Sequence, residues 1–429
     1  MIIFERVVKV SKYSIVGLFA AGTHAIVLII LSKAIALWAS NLIGFLSGSL
    51  VSYLGHSLYT FRKATGGKRF ARRWLLIQFT INTSICTLLP ILLSSVEQLR
   101  LTAWIFIFTP TVINAFIWSF AAKFSFNRIH RPRSTPVIHA DDLGLTNATN
   151  KAIFALAQAG ALQSASLLVN GIAVNEAIHA WKNKLQIPLT LHISLTEGIA
   201  VSNSRLVRKL SNHKGSLNQT FSKLLFASFL PKRASLRREI ELAIKKELLA
   251  QIKKFKRLTK IDSISIDGHQ HIHLIPIVLD VLLEISKTED VSWIRTTYEP
   301  LPNNTSTENL LKSCVDGGFL KWLTLQVLSN LASNQIKKAN IKTNAGFSGV
   351  LFTGKMSMNA IKSAWMELRI LQVYPWQTQP MILVHPAANL EPGESMGMHN
   401  EFPYSQKFFS SPWRQKEWKD LILMKESSN

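Results

Sequence analysis

The sequence predicts two fold classes in one chain: an N-terminal four-helix transmembrane bundle and a C-terminal α/β domain built on a parallel sheet. Three observations carry this expectation. Four apolar runs in the first 130 residues are free of Lys, Arg, Asp and Glu. Beyond them, short β-rich runs alternate with amphipathic stretches, and the residues able to do chemistry fall at the ends of those runs. At 429 residues the chain has room for two or three domains.

The uncharged runs are Tyr13 to Ser32, Ile35 to Tyr59, Trp74 to Val96 and Leu101 to Ala122. Each reaches the ~20 residues a helix needs to cross a hydrocarbon core, which places spans at about 13–32, 36–58, 74–96 and 101–122. A water-soluble bundle would need a charged face on each helix, and these have none. Positive charge sets the orientation. Arg6, Lys9 and Lys12 precede the first span, six Lys and Arg from Arg62 to Arg73 fill the middle loop, and Lys123, Arg128, Arg131 and Arg133 follow the last, while the other two loops hold only Lys33 and Arg100. The positive-inside rule then puts both termini, and everything after residue 130, in the cytoplasm. The basic start before the first run is expected to belong to a retained span rather than a cleaved signal. His24, Asn41, His56, Asn82 and Asn114 are polar groups within the runs, expected to pair between helices or to line a path.

The stretches VGLFAAGTHAIV, NLIGFLSGSLVSYLGHSLYTFR and WSFAAKFSFNR resemble the GtrA-like family over residues 8 to 128. The resemblance implies a four-span domain associated with moving polyprenyl-phosphate-linked sugars.

After the basic joint at 131–135, TPVIHADD, SASLLVN, IPLTLHISL, DSISIDGH, VSWIRTTY and MILVHP read as strands. NATNKAIFALAQAG, VNEAIHAWKNK and IPIVLDVLLEISK read as helices between them, and the alternation implies a parallel sheet, open or closed into a barrel. In such folds the chemistry gathers at the C-terminal ends of strands. There the chain places Asp141 and Asp142, His192, His269, Arg295 and His385. Adjacent carboxylates at a strand end point in different directions, so one can hold a metal while the other stays free as a base. One Asp with two His leaves open positions for water and substrate.

The ordered set HADDLG, GALQSASLLVNG, LTLHISLTEG, KKELLAQIKKF, SISIDGHQHIHLIP and LVHP resembles the YdjC-like (ChbG-type) carbohydrate deacetylases from about residue 136 to about 390, within a domain drawn at 136–395. The resemblance implies a deformed (β/α) barrel related to the NodB-type polysaccharide deacetylases, and removal of an N-acetyl group with one divalent metal ion, Mg2+ or Zn2+. It assigns Asp142, His192 and His269 as metal ligands, Asp141 as general base, His385 as general acid, and Arg295 as the group that orients Asp141 or the substrate. Within DGHQHIH, where Gly268 suggests that the chain is leaving its strand, Asp267 and His271 are expected to back the ligands or touch substrate, and His273 to pack where the next helix begins. Leu143 stands where the family has Phe, with an altered pocket floor as the expected effect, and HPA replaces HPG.

The net charge of +24 invites nucleic acid. Much of the excess, however, lies at membrane edges and in the basic helix 232–257, which suits lipid headgroups or a solvated face, so no nucleic-acid partner is expected. Cys86 and Cys314 fall in different domains and read as inert thiols, and the Asn147 and Asn218 sequons carry little weight. Joined, the two halves suggest a polyprenyl-phosphate-linked N-acetylated or N-formylated amino sugar as substrate, with membrane lipids as surroundings. The rivals are a soluble chito-oligosaccharide substrate, a transporter carrying a binding domain, and a phosphoesterase. NAGFSGVLFTG is a candidate sugar groove, while LPNNTSTENL and the tail 396–429 receive no role.

Overall fold

The computed structural model describes residues 2–92, 99–131, 133–301, 317–390 and 392–426. Cys314, residues 302–310 and the last four residues of the third expected span lie outside that set, as does the Cys86 side chain. The chain divides into two compact units, Met1–Pro132 and Arg133–Asn429.

In the first unit, helices Ile2–Leu31, Leu37–Gly55, Arg72–Leu92 and Leu99–His130 overlap the four expected spans. The second continues as a π-helical turn, His56–Thr60. Among the described residues one helix segment, Val10–Leu31, is long and apolar enough to cross a membrane. The first two helices approach closely because Gly44 and Gly48 of the second face the first: a Cβ on Gly48 would lie 2.8 Å from the Ala20 carbonyl oxygen. Polar groups pair across the helices. His24 Nε2 meets Asn41 Oδ1 at 2.9 Å, Asn82 Nδ2 donates to Asn114 Oδ1 at 2.9 Å, and Trp118 Nε1 donates to Ser52 Oγ at 3.2 Å. These contacts tie the helices to one another, as the pairing alternative expects.

The second unit is a seven-stranded parallel sheet: β1 (Val137–Leu143), β2 (Ser164–Leu167), β3 (Leu189–Ile193), β4 (Ile264–Gly268), β5 (Val291–Ile294), β6 (Phe347–Ser348) and β7 (Met381–Val384). Their spatial order is β5-β4-β3-β2-β1-β7-β6. The two edges are linked by residues 342–348. The Ile294 N–H donates to the Lys342 carbonyl at 3.0 Å, and Phe347–Ser348 pairs with β7. The strands thus form a half-barrel, where a deformed barrel is expected, with one irregular stretch hydrogen-bonded to both edges.

Period-two alternation sorts the strands. Ile138, Ala140, Ala165, Leu167, Leu191, Ile264, Ile266 and Ile294 enter the apolar core. The intervening positions carry His139, Asp141, Ser164, Ser166, His192 and Asp267, a polar interior that is almost wholly buried. Leu143 lies in the apolar core and is absent from the cavity wall described below, so it does not form the pocket floor.

Residues 396–429, set apart above as a tail, belong to this unit over their described length. Phe402 and Phe409 pack with Leu145 and Leu168, and Leu421 of helix Pro412–Glu426 enters the main core. Their apolar side chains complete a face that the strands and earlier helices leave open.

The register of β1 slips between Ala140 and Leu143, and Asp142 adopts φ +70, a left-handed conformation that few residues other than Gly, Asn and Asp tolerate. The turn that follows is held on three sides. Asn150 Oδ1 accepts the Gly144 N–H at 2.7 Å, Leu168 N–H donates to the Leu143 carbonyl at 2.8 Å, and Ala173 N–H donates to the Gly144 carbonyl at 2.9 Å. Gly171 closes against it, since a Cβ there would lie 2.3 Å from the Gly144 oxygen. Gly171→Ala is therefore expected to destabilise the second unit by about 1–3 kcal/mol, read as a lowered thermal midpoint; an unchanged midpoint would show that the turn has room to move.

Candidate metal centre

Three side chains meet above the strand ends. Asp142 Oδ1 lies 3.6 Å from His192 Nε2 and 3.3 Å from His269 Nδ1, and one ligand atom from each residue falls within 4.8 Å of the others. Each imidazole is backed by a carboxylate on its far nitrogen. His192 Nδ1 donates to Asp267 Oδ1 at 2.6 Å, and His269 Nε2 sits 3.2 Å from Glu197 Oε2. With the far nitrogens directed at carboxylates, His192 Nε2 and the deprotonated form of His269 Nδ1 would turn lone pairs toward Asp142. Among the described residues, buried Asp142 Oδ2 has no hydrogen-bond partner, with the Arg414 cation 3.7 Å away. Two imidazole nitrogens, deprotonated when an ion binds, and a carboxylate facing one point are the donor set of a divalent transition-metal site, and these residues fit one.

The local path of the chain aims them. β4 stops at Gly268, and the His269–Leu274 turn includes Gln270 (φ 56) and His271 (φ 59) in the left-handed region. The backbone thus leaves the strand at His269, and the three histidines of DGHQHIH do not share a face. His269 turns to Asp142, His271 lines the cavity, and His273 places Nε2 3.1 Å from the Arg295 carbonyl, behind the site.

A second cluster, His139, Asp141 and Asp267, has similar spacing. A cation already occupies it. Arg295 donates from Nη1 to Asp141 Oδ2 at 2.8 Å and from Nη2 to Asp141 Oδ1 at 2.7 Å, and also pairs with Asp267. Ser166 bonds both Asp267 and Arg295, and His139 bridges Ser164 and Ser166 at 2.7 and 2.6 Å. This cluster is an ion-pair network within the barrel, not a vacant ligand set. Burial pushes the Asp141 carboxyl up, but the Arg295 charge outweighs it and holds the group well below the usual range; Asp267 is lowered the same way. Asp142 is also lowered, its burial outweighed by the hydrogen bond and charge of His269.

Asp141, Asp142, His192, His269, His271 and His385 line one cavity of about 550 Å³. Asp267 and Arg295 do not. Asp267, considered above as a substrate group, lies fully buried behind His192, because Arg295 and Ser166 draw its second oxygen inward. Arg295 orients Asp141 and does not reach the cavity.

Sequence reasoning missed the contribution of the C-terminal segment. The Ser405 N–H donates to Glu197 Oε1 at 2.8 Å, and Phe409 stacks on His269 with ring centroids 6.1 Å apart. Arg414 reaches within 3.7 Å of Asp142 Oδ2 and donates from Nε to the His385 carbonyl at 2.8 Å. Glu417 accepts the His385 and Met356 N–H groups, each at 2.7 Å, and burial pushes it up to about 7. Glu197 sits inside the LTEG motif, where its acidic side chain two residues past buried Leu195 was the available signal. Arg414 and Glu417 share a helix face at i, i+3, a spacing too common to single out.

Burial lowers His385 to about 4 and His273 to about 3, and holds His271 well below 6.5. In His269, burial also opposes protonation, but hydrogen bonds to Asp142 and Glu197 prevail and raise it to about 9.

The family model described as YdjC-like protein matches residues 137–423, and that of the GtrA/DPMS transmembrane domain matches residues 12–130. Among curated proteins, a carbohydrate deacetylase of Danio rerio is 29% identical over 170 residues, covering 40% of this chain and 52% of that one. The Homo sapiens carbohydrate deacetylase is 33% identical over 170 residues, covering 39% and 50%. That of Oceanobacillus iheyensis is 27% identical over 247 residues, covering 54% of this chain and 98% of the relative. The chain spans about half the length of the two vertebrate relatives.

The raised folded value of His269 gives a signed expectation. In metal-free protein its contribution to stability is complete below the unfolded value of ~6.5 and is lost as pH rises through about 9. A chelator-treated sample should lose thermal stability over that window, and His269→Gln should remove that part of the slope. Parallel melting curves for the two proteins would contradict the His269 pairing.

Proposed function

The chain belongs to the YdjC-like protein family, and on that premise we propose that it is a membrane-anchored carbohydrate deacetylase dependent on a divalent metal, acting on an N-acetylated or N-formylated amino sugar carried on a polyprenyl phosphate. One observation carries the reading: two adjacent carboxylates have different employers. Asp142 faces an imidazole nitrogen of His192 and one of His269, while Asp141, its neighbour in the chain, is forked on Arg295 and kept out of that set.

Asp142, His192 and His269 would hold the ion, which supplies polarisation of the amide carbonyl and a lowered pKa for bound water. Asp141 is ionised and borders the same point, with Oδ2 3.9 Å from His192 Nε2. Arg295 uses one lone pair on each of its oxygens, so a second remains to take the proton of the attacking water. His385 is neutral at pH 7. Negative charge growing on the attacked carbonyl oxygen raises the proton affinity of His385, so it takes up the proton that Asp141 removed from the water, passed across the cavity both line, and delivers it to the departing amine as the C–N bond breaks. Glu417 and Arg414 grip the His385 backbone on both sides and fix where that proton is delivered.

The match of residues 12–130 to a GtrA/DPMS transmembrane domain supports the membrane half of this reading. We assign four spans with both termini and the deacetylase unit on the cytoplasmic side, from the Lys and Arg bias of the loops. Anchoring raises the effective concentration of a lipid-borne substrate at the site.

Asp141→Asn should lower acetate release from a polyprenyl-phosphate-linked N-acetylhexosamine by about 10²–10⁴-fold, with Asp142→Asn or chelation abolishing it and metal restoring only the chelated wild type. Turnover that survives Asp141→Asn would remove the base from this assignment. For topology, a reporter enzyme fused after Asn429 should be active only as a cytoplasmic fusion; periplasmic activity would reverse the orientation.

A further inference from the structure

Helix Gly318–Lys338 has two apolar faces, where a helix on the surface of a soluble domain has one. Leu325, Leu328, Ala332 and Ile336 are buried in the core. Leu320, Leu323, Val327 and Leu331, spaced by three, four and four residues, form a second stripe that is 69%, 47%, 54% and 55% exposed. At 1.5 Å per residue this stripe runs for roughly 16 Å. Leu320 and the adjacent Lys321 also line the cavity that holds Asp141, Asp142, His192 and His269. The stripe therefore starts at the candidate centre and continues along the surface.

Lys321 donates from Nζ to Thr353 Oγ1 at 3.2 Å. Among the described residues no carboxylate forms an ion pair with it, and an ammonium group has three donors. Burial lowers it to about 8 against the attraction of Glu299 and Asp141, so it remains cationic at neutral pH. A cation held in the wall of a largely apolar cavity, with hydrogen-bonding capacity to spare, suits an anion on the ligand.

We propose that Lys321 and the exposed stripe form a carrier subsite: Lys321 pairs with the phosphate that joins the sugar to its lipid, and Leu320, Leu323 and Val327 hold the first prenyl units. This rests on the lipid-linked substrate proposed above. The charge pattern favours a single carrier over the bilayer surface. The helix has no other basic residue until Lys337 and Lys338, whereas headgroup binding draws on many cations.

The full chain, in detergent and in nanodiscs, is given three substrates: an N-acetylhexosamine joined through phosphate to farnesyl, the soluble N-acetylhexosamine 1-phosphate, and a neutral farnesyl glycoside. Lys321→Gln is expected to lower kcat/KM about tenfold more on the two phosphate-bearing substrates than on the neutral one, mainly through KM. Lys321→Arg should recover most of the loss. A Leu323→Asn, Val327→Asn double variant should lose several-fold more on the farnesyl phosphate substrate than on the soluble phosphate, in detergent as in nanodiscs. Equal losses on all three substrates with Lys321→Gln, or full activity of that variant on the farnesyl phosphate substrate, would overturn the subsite and leave the lipid-linked reading standing. Equal losses on both phosphates in the double variant, or losses confined to nanodiscs, would overturn the stripe's role, the latter in favour of bilayer docking. No acetate from the farnesyl phosphate substrate with wild type would overturn the lipid-linked reading and the subsite together.

Discussion

Arg295 is the fixed point of the second unit. Its guanidinium is fully buried inside the barrel, where a lone cation would cost several kcal/mol, and it is paid for by two carboxylates. The pairing does more than neutralise charge. The fork on Asp141 consumes the directions in which that side chain would otherwise swing toward the ligand set. The contact to Asp267 leaves that residue's other oxygen for His192 Nδ1, which fixes the His192 tautomer and presents Nε2 to Asp142. One residue thus holds the proposed base ionised and, through Asp267, orients a proposed ligand, without lining the cavity.

The opposite wall depends on the C-terminal segment. Ser405 steadies Glu197, the partner of His269; Phe409 covers the His269 ring; Arg414 and Glu417 hold the His385 backbone from either side. The candidate site is therefore assembled from the first strand to the last helix, and its walls are complete only with the C-terminal segment in place. This explains why the family match continues to residue 423, well beyond the last strand.

The strands and their chemical ends are legible in the sequence because they repeat one physical pattern: an apolar run ending in a group that can titrate or ligate. The alternation within those runs held more than the motifs did. His139 and Ser166 face the same side of the sheet as Asp141 and belong to the same buried network, although the motifs that contain them, HADDLG and GALQSASLLVNG, assign them no role. The left-handed turn at Asp142 is not legible, since Asp is tolerated there but does not demand it. The contribution of residues 396–426 is hidden for a different reason. Arg414 meets Thr149 across 265 residues of sequence, and no local periodicity encodes so distant a contact.

The central claim is the division of labour between two neighbouring aspartates, and a crystal structure of the zinc-loaded chain tests it most directly. The account predicts zinc bound by Asp142, His192 and His269, with Asp141 still forked on Arg295. Zinc ligated by Asp141, or lodged between Asp141 and Asp267 with Arg295 displaced, would contradict it.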